Sequence, residues 1–164
     1  MGESIPVSII PFPWTKSYET GIFMVDEQHR KLVGLLNDLA DYPRDDPDKT
    51  SAFINKVLLE MAEYATFHFR CEEDLWRKYF KDHPLLDEHL RLHDDFLPPA
   101  LGIVAAKGRI NPAEAIQDTI EHLAVWLRRH ILGGDMRMAR IIQNIDSGTP
   151  PEEAVRLGSA DWAA

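Results

Sequence analysis

At 164 residues, with 45% hydrophobic and 27% charged positions, the chain is large enough for one domain with its own core, and its composition argues against disorder. A formal charge of −9 speaks against nucleic acid or an anionic membrane surface as partner, since both recruit clustered Lys and Arg. No apolar run approaches the roughly 20 residues that cross a bilayer. Pro6, Pro11 and Pro13 break the short apolar stretch at the N-terminus, which carries no basic leader pattern. The single cysteine, Cys71, forms no internal disulfide, so a reducing, cytoplasmic location is expected.

Residues 1–21 read as an irregular arm, rich in proline and carrying Trp14 and Tyr18 as aromatic anchors. The first helix is expected from an N-cap at Asp26 to about Ala40, with His29, Leu32, Leu36 and Leu39 on one face. Pro43 to Pro47 form a break. A second helix is expected from about Asp48 to about Phe80, its stripe running Ile54, Val57, Leu58, Met61, Ala65, His68, Glu72, Leu75. The third starts at Pro84 and turns Leu86, His89, His93 and Phe96 inward, until Pro98-Pro99 ends or kinks it. Asn111-Pro112-Ala113-Glu114 reads as the capped start of a fourth helix, with Ile116, Ile120, Leu123, Leu127 and His130 as its stripe. Gly133-Gly134 offers a left-handed stop, which places Asp135 just past the helix end or at the cap of a further helix, expected from about Asp135 to about Ile145. Thr149-Pro150-Pro151-Glu152 resembles a capping box for a short last helix through about Leu157.

These segments predict an all-α protein: an antiparallel up-and-down four-helix bundle over residues 22–146, with the arm before it and a short helical extension, 147–164, after it. In that topology His29, His68, Glu72, His89, His93, His130 and Asp135 fall at one end of the bundle. Imidazoles on an apolar stripe carry a desolvation cost unless something binds them. A metal does so, because i, i+4 pairs share a helix face and neutral imidazole and carboxylate are its ligands. Seven such groups are too many for one ordinary ion and suit a pair. The spacing alone leaves iron, manganese and zinc open.

The motifs that carry these residues resemble the hemerythrin family, in particular its single-domain bacterial members. The resemblance runs through Trp14, Tyr18, Gly21-Ile22 and Asp26-Glu27-Gln28-His29, then His68-Phe69-Arg70-Cys71-Glu72-Glu73. It continues in His89, His93 and Phe96, and in Trp126 to Ile131 with Asp135. It implies two non-haem iron ions, one held by His29 and His68, the other by His89, His93 and His130. Glu72, Asp135 and an oxo or hydroxo group would bridge them. One coordination position then stays open, on the iron of His29 and His68, where dioxygen binds end-on and reversibly. The expected function is therefore dioxygen storage, transport or delivery rather than catalysis. Leu32, Leu36, Ala65, Phe69, Phe96, Leu123, Trp126 and Leu127 are the expected walls of a dry pocket.

Plainer readings exist for each residue alone: Asp135 as a cap, Glu72 as a solvated carboxylate, any one histidine as a satisfied core group. Their coincidence at one end of the bundle favours the metal. His83 is expected in solvent, His122 at the surface or behind the ligands, and Cys71 as a small packing residue. A ferritin-like carboxylate site is disfavoured, because no histidine here has a glutamate three positions before it. Alternatives that use the same di-iron site are an oxygen or redox sensor, and a nitric oxide or peroxide reductase. Dioxygen is the expected partner, with neither nucleic acid nor membrane insertion; a client protein or electron donor is left unspecified. For the extension, a passive role is expected over gating by Val155 and Trp162.

Overall fold

A computed structural model describes residues 12–43, 45–80, 83–96, 98 and 112–160. Every regular element among them is helical. A 3-10 turn, Lys16–Tyr18, precedes α1 (Phe23–Asp41), α2 (Pro47–Tyr79), α3 (Pro84–Asp94) and α4 (Pro112–Arg129). A π-helical turn, His130–Asp135, then leads into α5 (Met136–Asp146), and α6 (Pro151–Gly158) follows. None of the described helices is long and apolar enough to cross a membrane.

The stripe on α1 is buried as expected, but the helix begins earlier than its sequence suggests. Ile22, not Asp26, occupies the cap position. Asp26 lies inside the first turn, where the positive end of the helix favours a carboxylate. Its oxygens reach back to the arm, accepting from Thr20 N (2.7 Å), Thr20 Oγ1 (2.8 Å) and Gly21 N (3.1 Å). Asp26 thus ties the arm to α1 instead of capping α1's own amides. On α2, Asp46 is the cap and accepts from Lys49 N, with Pro47 in the first turn. His83 is not simply solvated: it caps α3, its Nδ1 accepting from Leu85 N at 3.2 Å.

The largest departure from expectation is at Gly133-Gly134. Neither glycine adopts a positive φ, and no left-handed stop forms. The chain instead widens by one residue and stays helical from His130 into α5. Asp135 has helical angles (φ −77°, ψ −38°) and makes no capping bond. The capping box expected at Thr149 to Glu152 is also absent, because Pro150, which lacks a polar side chain, holds the cap position of α6. Asn111, Pro99 and Trp162, each given a role above, lie outside the described residues.

Two apolar clusters flank the level of the histidines. The larger joins α1, α2, α4 and the arm through residues such as Leu32, Leu36, Met61, Phe96, Leu123 and Leu127. The smaller gathers Val25, Trp76, Phe80, Met138 and Ile141, with Ala154 of α6 buried in it and Val155 packed against it. The C-terminal helix is therefore docked: a Cβ on Gly158 would stand 2.4 Å from Ile141 Cγ1, so only glycine permits this approach to α5. Arg137 Nε donates to Ser159 Oγ (2.9 Å) and its Nη1 to Glu88 Oε1 (3.1 Å), which links the extension through α5 to α3.

Candidate metal centre

Four helical segments deliver the seven side chains singled out above to one buried place. His29 comes from α1, His68 and Glu72 from α2, His89 and His93 from α3, and His130 and Asp135 from the π turn. On α2 and α3 the four-residue spacing suffices, because i and i+4 share a face. His130 and Asp135 stand five apart, and in a regular helix of ~3.6 residues per turn they would diverge by about 140°. The π turn, with its i to i+5 hydrogen bonding, carries residue i+5 back toward the face of residue i and brings both groups inward. Gly133 and Gly134, which in sequence suggest a helix stop, lie inside this widened turn instead.

The carboxylate oxygens divide the histidines into two sets. Glu72 Oε1 faces His68 Nε2 (3.2 Å) and His29 Nε2 (3.7 Å). Glu72 Oε2 faces His93 Nε2 (3.1 Å), His89 Nε2 (3.2 Å) and His130 Nε2 (3.5 Å). Asp135 repeats the pattern, with Oδ2 at 3.0 Å from His29 Nε2 and Oδ1 at 3.3 Å from His130 Nε2 and 3.7 Å from His89 Nε2. Two ligand sets follow from these positions: His29, His68, Glu72 and Asp135 in one, and Glu72, His89, His93 and His130 in the other, each with donor atoms within 4.8 Å of one another.

Glu72 and Asp135 are fully buried, as are His29 and His68. Yet Nε2 of His29, His68 and His130, Oε1 of Glu72 and both oxygens of Asp135 lack a hydrogen-bond partner. Buried polar atoms are normally satisfied, and buried charges more so. These six atoms of the cluster face one another across the imidazole–carboxylate pairs above, an arrangement that divalent cations would satisfy. The donor set, imidazole and carboxylate, suits first-row metals.

Protonation within the cluster is uneven. Burial pulls His29 down, but the Asp135 and Glu72 carboxylates outweigh it and push the group up to about 9. Burial dominates at His68, which falls to about 4. For Glu72 burial works upward and is overcome by the surrounding imidazoles, His68 foremost, so it stays ionised well below the usual carboxylate range.

Gln28 was not singled out in the sequence, yet its buried Oε1 accepts from His68 Nδ1–H at 2.9 Å. That bond leaves the lone pair of His68 on Nε2, facing Glu72. Phe69 stacks on His93 (centroids 3.9 Å apart, 8° between planes) and Trp126 on His130 (4.4 Å, 20°). Both therefore wall the three-histidine set. Leu32, Leu36, Phe96, Leu123 and Leu127 line a narrow gap together with Met61, a residue of the α2 stripe that is not among the expected pocket walls. The gap leaves no room for a water molecule. Ala65 is fully buried in the same core without lining the gap. His122 and Cys71 are half-buried, and neither belongs to the two ligand sets.

Sequence comparison agrees with this site. Residues 20–142 match the family model for the hemerythrin HHE cation binding domain. A hemerythrin-like protein of Naegleria gruberi is 33% identical over 143 residues, covering 87% of this chain and all of that protein. A bacteriohemerythrin of Clostridium acetobutylicum is 28% identical over 126 residues, 76% of this chain and 95% of the relative. A myohemerythrin of Theromyzon tessulatum is 25% identical over 127 residues, 77% of this chain and 90% of the relative. No solved structure gives a significant match. With the model spanning most of the chain and the buried cluster at its centre, the chain belongs to the hemerythrin family, as a member of its bacterial type.

Proposed function

We propose that the chain binds dioxygen reversibly at a pair of iron ions, held where four antiparallel helical segments converge. The ligands are His29, His68, Glu72, His89, His93, His130 and Asp135. The observation that carries this reading is the division of the carboxylate oxygens: each carboxylate turns one oxygen to the two-histidine set and the other to the three-histidine set. Glu72 and Asp135 act as bridges in this arrangement. Having one fewer histidine, the first set is where a ligand position remains for the gas.

When bound, two ferrous ions supply the two electrons that dioxygen takes up on binding and returns on release. The side chains keep that exchange reversible by what they exclude. The narrow aliphatic gap admits no water, and Glu72 and Asp135, the carboxylates within the cluster, are committed as ligands. Asp26, the other buried carboxylate among the described residues, is engaged by Thr20 and Gly21, which leaves no uncommitted buried carboxylate among them to push the bound gas toward peroxide release. Gln28 is neutral and accepts from His68, holding that ring without offering an acidic proton.

Repeated exposure of the reduced, iron-loaded chain to air and vacuum tests the reading. The optical spectrum is expected to change and revert over many cycles. One-way oxidation, or turnover of nitric oxide or peroxide, would replace the carrier by an enzyme.

A further inference from the structure

The match to the family model ends at residue 142, whereas α5 runs on to Asp146 and α6 follows it. This extension is packed as closely as the core. Ala154 is fully buried, and Gly158 lies so near Ile141 that a larger residue would collide with it. Ser159 Oγ, next in the chain, accepts from Arg137 Nε at 2.9 Å, while Arg137 Nη1 donates to Glu88 Oε1 at 3.1 Å. Arg137 is thereby held between the extension and α3.

Beside Arg137 lies a small hollow with room for a single water molecule, and Trp76, Glu88, His89 and Gly134 are among its other walls. It lies behind the metal centre. His89 Nε2 faces Glu72 Oε2 at 3.2 Å, so the proton of a ligating His89 sits on Nδ1. That nitrogen is turned toward Gly134, where a Cβ would stand 3.2 Å from it, and glycine keeps the space open. Among the described residues, the polar contacts of His89 run from Nε2 and none from Nδ1. Trp76 Nε1, also buried, has no hydrogen-bond partner. Buried N–H groups of this kind are ordinarily satisfied, and where protein supplies no acceptor a trapped water does so.

We propose that α6 is a positioning element for the three-histidine set. Through Ser159 it holds Arg137 at the hollow, and a water kept there accepts from His89 Nδ1–H and Trp76 Nε1–H and donates to the Glu88 carboxylate. His89 is then fixed on its outer side, as His68 is by Gln28. The role rests on the reading of His89 as a metal ligand and is indifferent to which gas the centre binds. Ser159 and Gly158 both lie beyond the residues that match the family model, so the contact belongs to the extension of this chain.

Zinc is the probe, because it is redox-inert and reads ligation without dioxygen. In crystals of the parent chain, a water is expected within hydrogen-bond distance of His89 Nδ1. In the zinc-loaded chain, the Nδ1 proton is expected to exchange slowly enough to be seen by magnetic resonance. Arg137→Ala is expected to speed that exchange and to weaken zinc at the three-histidine set about 10–100-fold, leaving the set of His29 and His68 unchanged. Ser159→Ala is expected to act in the same direction to a smaller degree, and Ser159→Thr, which keeps the hydroxyl, to behave as the parent. Melting curves show that each variant folds. Affinity lost equally from both sets, a lower melting midpoint with both affinities kept, or a hollow without water reduces α6 to packing and overturns the proposal. A parent chain that takes up no zinc beside His89 overturns the ligand reading as well, whereas a failure confined to the variants leaves that reading standing.

Discussion

On one side of Glu72 stand His29 and His68; on the other stand His89, His93 and His130, and the surroundings differ as much as the number. The two-histidine side is held by a hydrogen bond, Gln28 to His68, and faces the aliphatic end of the core. The three-histidine side is held by packing, with Phe69 and Trp126 lying flat on two of its rings and the π turn pressed against the third. Such a difference separates two tasks. On the proposed reading the three-histidine side fixes its ion, while the two-histidine side, with one imidazole fewer and oriented by one bond, keeps a position for an exchangeable ligand. Only Glu72 and Asp135 serve both.

Removing what both sides share should therefore have the largest effect. Glu72→Gln keeps the shape but loses the charge and one ligating oxygen, and metal content is expected to fall from about two ions per chain to below about one. Elemental analysis of the folded variant decides it; two ions retained would mean that Glu72 does not bridge. The two sides should then respond unequally to loss of one histidine. His68→Ala leaves His29 as the sole imidazole of its set and is expected to lose that ion. His93→Ala leaves His89 and His130 with Glu72 and is expected to keep both ions, the affected one ~10–100-fold weaker. Equal losses would erase the distinction between the sides.

Much of this centre is legible in the sequence because helical periodicity is a strong signal. Where His68 and Glu72, or His89 and His93, sit on an apolar stripe at i, i+4, face and partner follow together. The π turn was not legible, since Gly133-Gly134 signals a helix end at least as strongly as a widened turn. The available clue was the five-residue interval from His130 to Asp135, which no regular helix places on one face. Gln28 was hidden for another reason. It lies beside a ligand in sequence and looks like a polar flank, and only α2 packed across α1 shows that it reaches His68. Asp26 was misassigned because an acidic residue just before an apolar stripe looks like a cap, whereas here it bonds backward to the arm.

Gln28 offers a finer probe of the two-histidine side. Gln28→Leu leaves His68 Nδ1–H buried without an acceptor, which costs roughly 1–3 kcal/mol of stability. It also frees the ring to turn, so affinity at that set is expected to drop ~10–100-fold while the other set is unaffected. Urea titration of the metal-free chain reads the first effect and stepwise metal titration the second. An affinity loss shared equally by both ions would show that Gln28 supports the whole bundle and not His68.

The smallest expected effect comes from the opposite side, at Gly134. A methyl there would meet Leu92 Cδ1 at 3.1 Å and the His89 ring at 3.2 Å (Nδ1) and 3.3 Å (Cε1). Replacing a helical glycine by alanine gains roughly 0.5–1 kcal/mol, and crowding a packed core costs ~1–3 kcal/mol. The two nearly offset because Leu92 presents the end of a flexible side chain, so Gly134→Ala should change the melting midpoint little. The imidazole cannot yield in the same way without moving Nε2 off its carboxylate oxygens. The variant is therefore expected to weaken metal at the three-histidine set while leaving the His29–His68 set and overall stability near the parent values. If instead stability falls and both sets keep their affinity, the π turn matters for packing alone, and the placement of His89 does not depend on it.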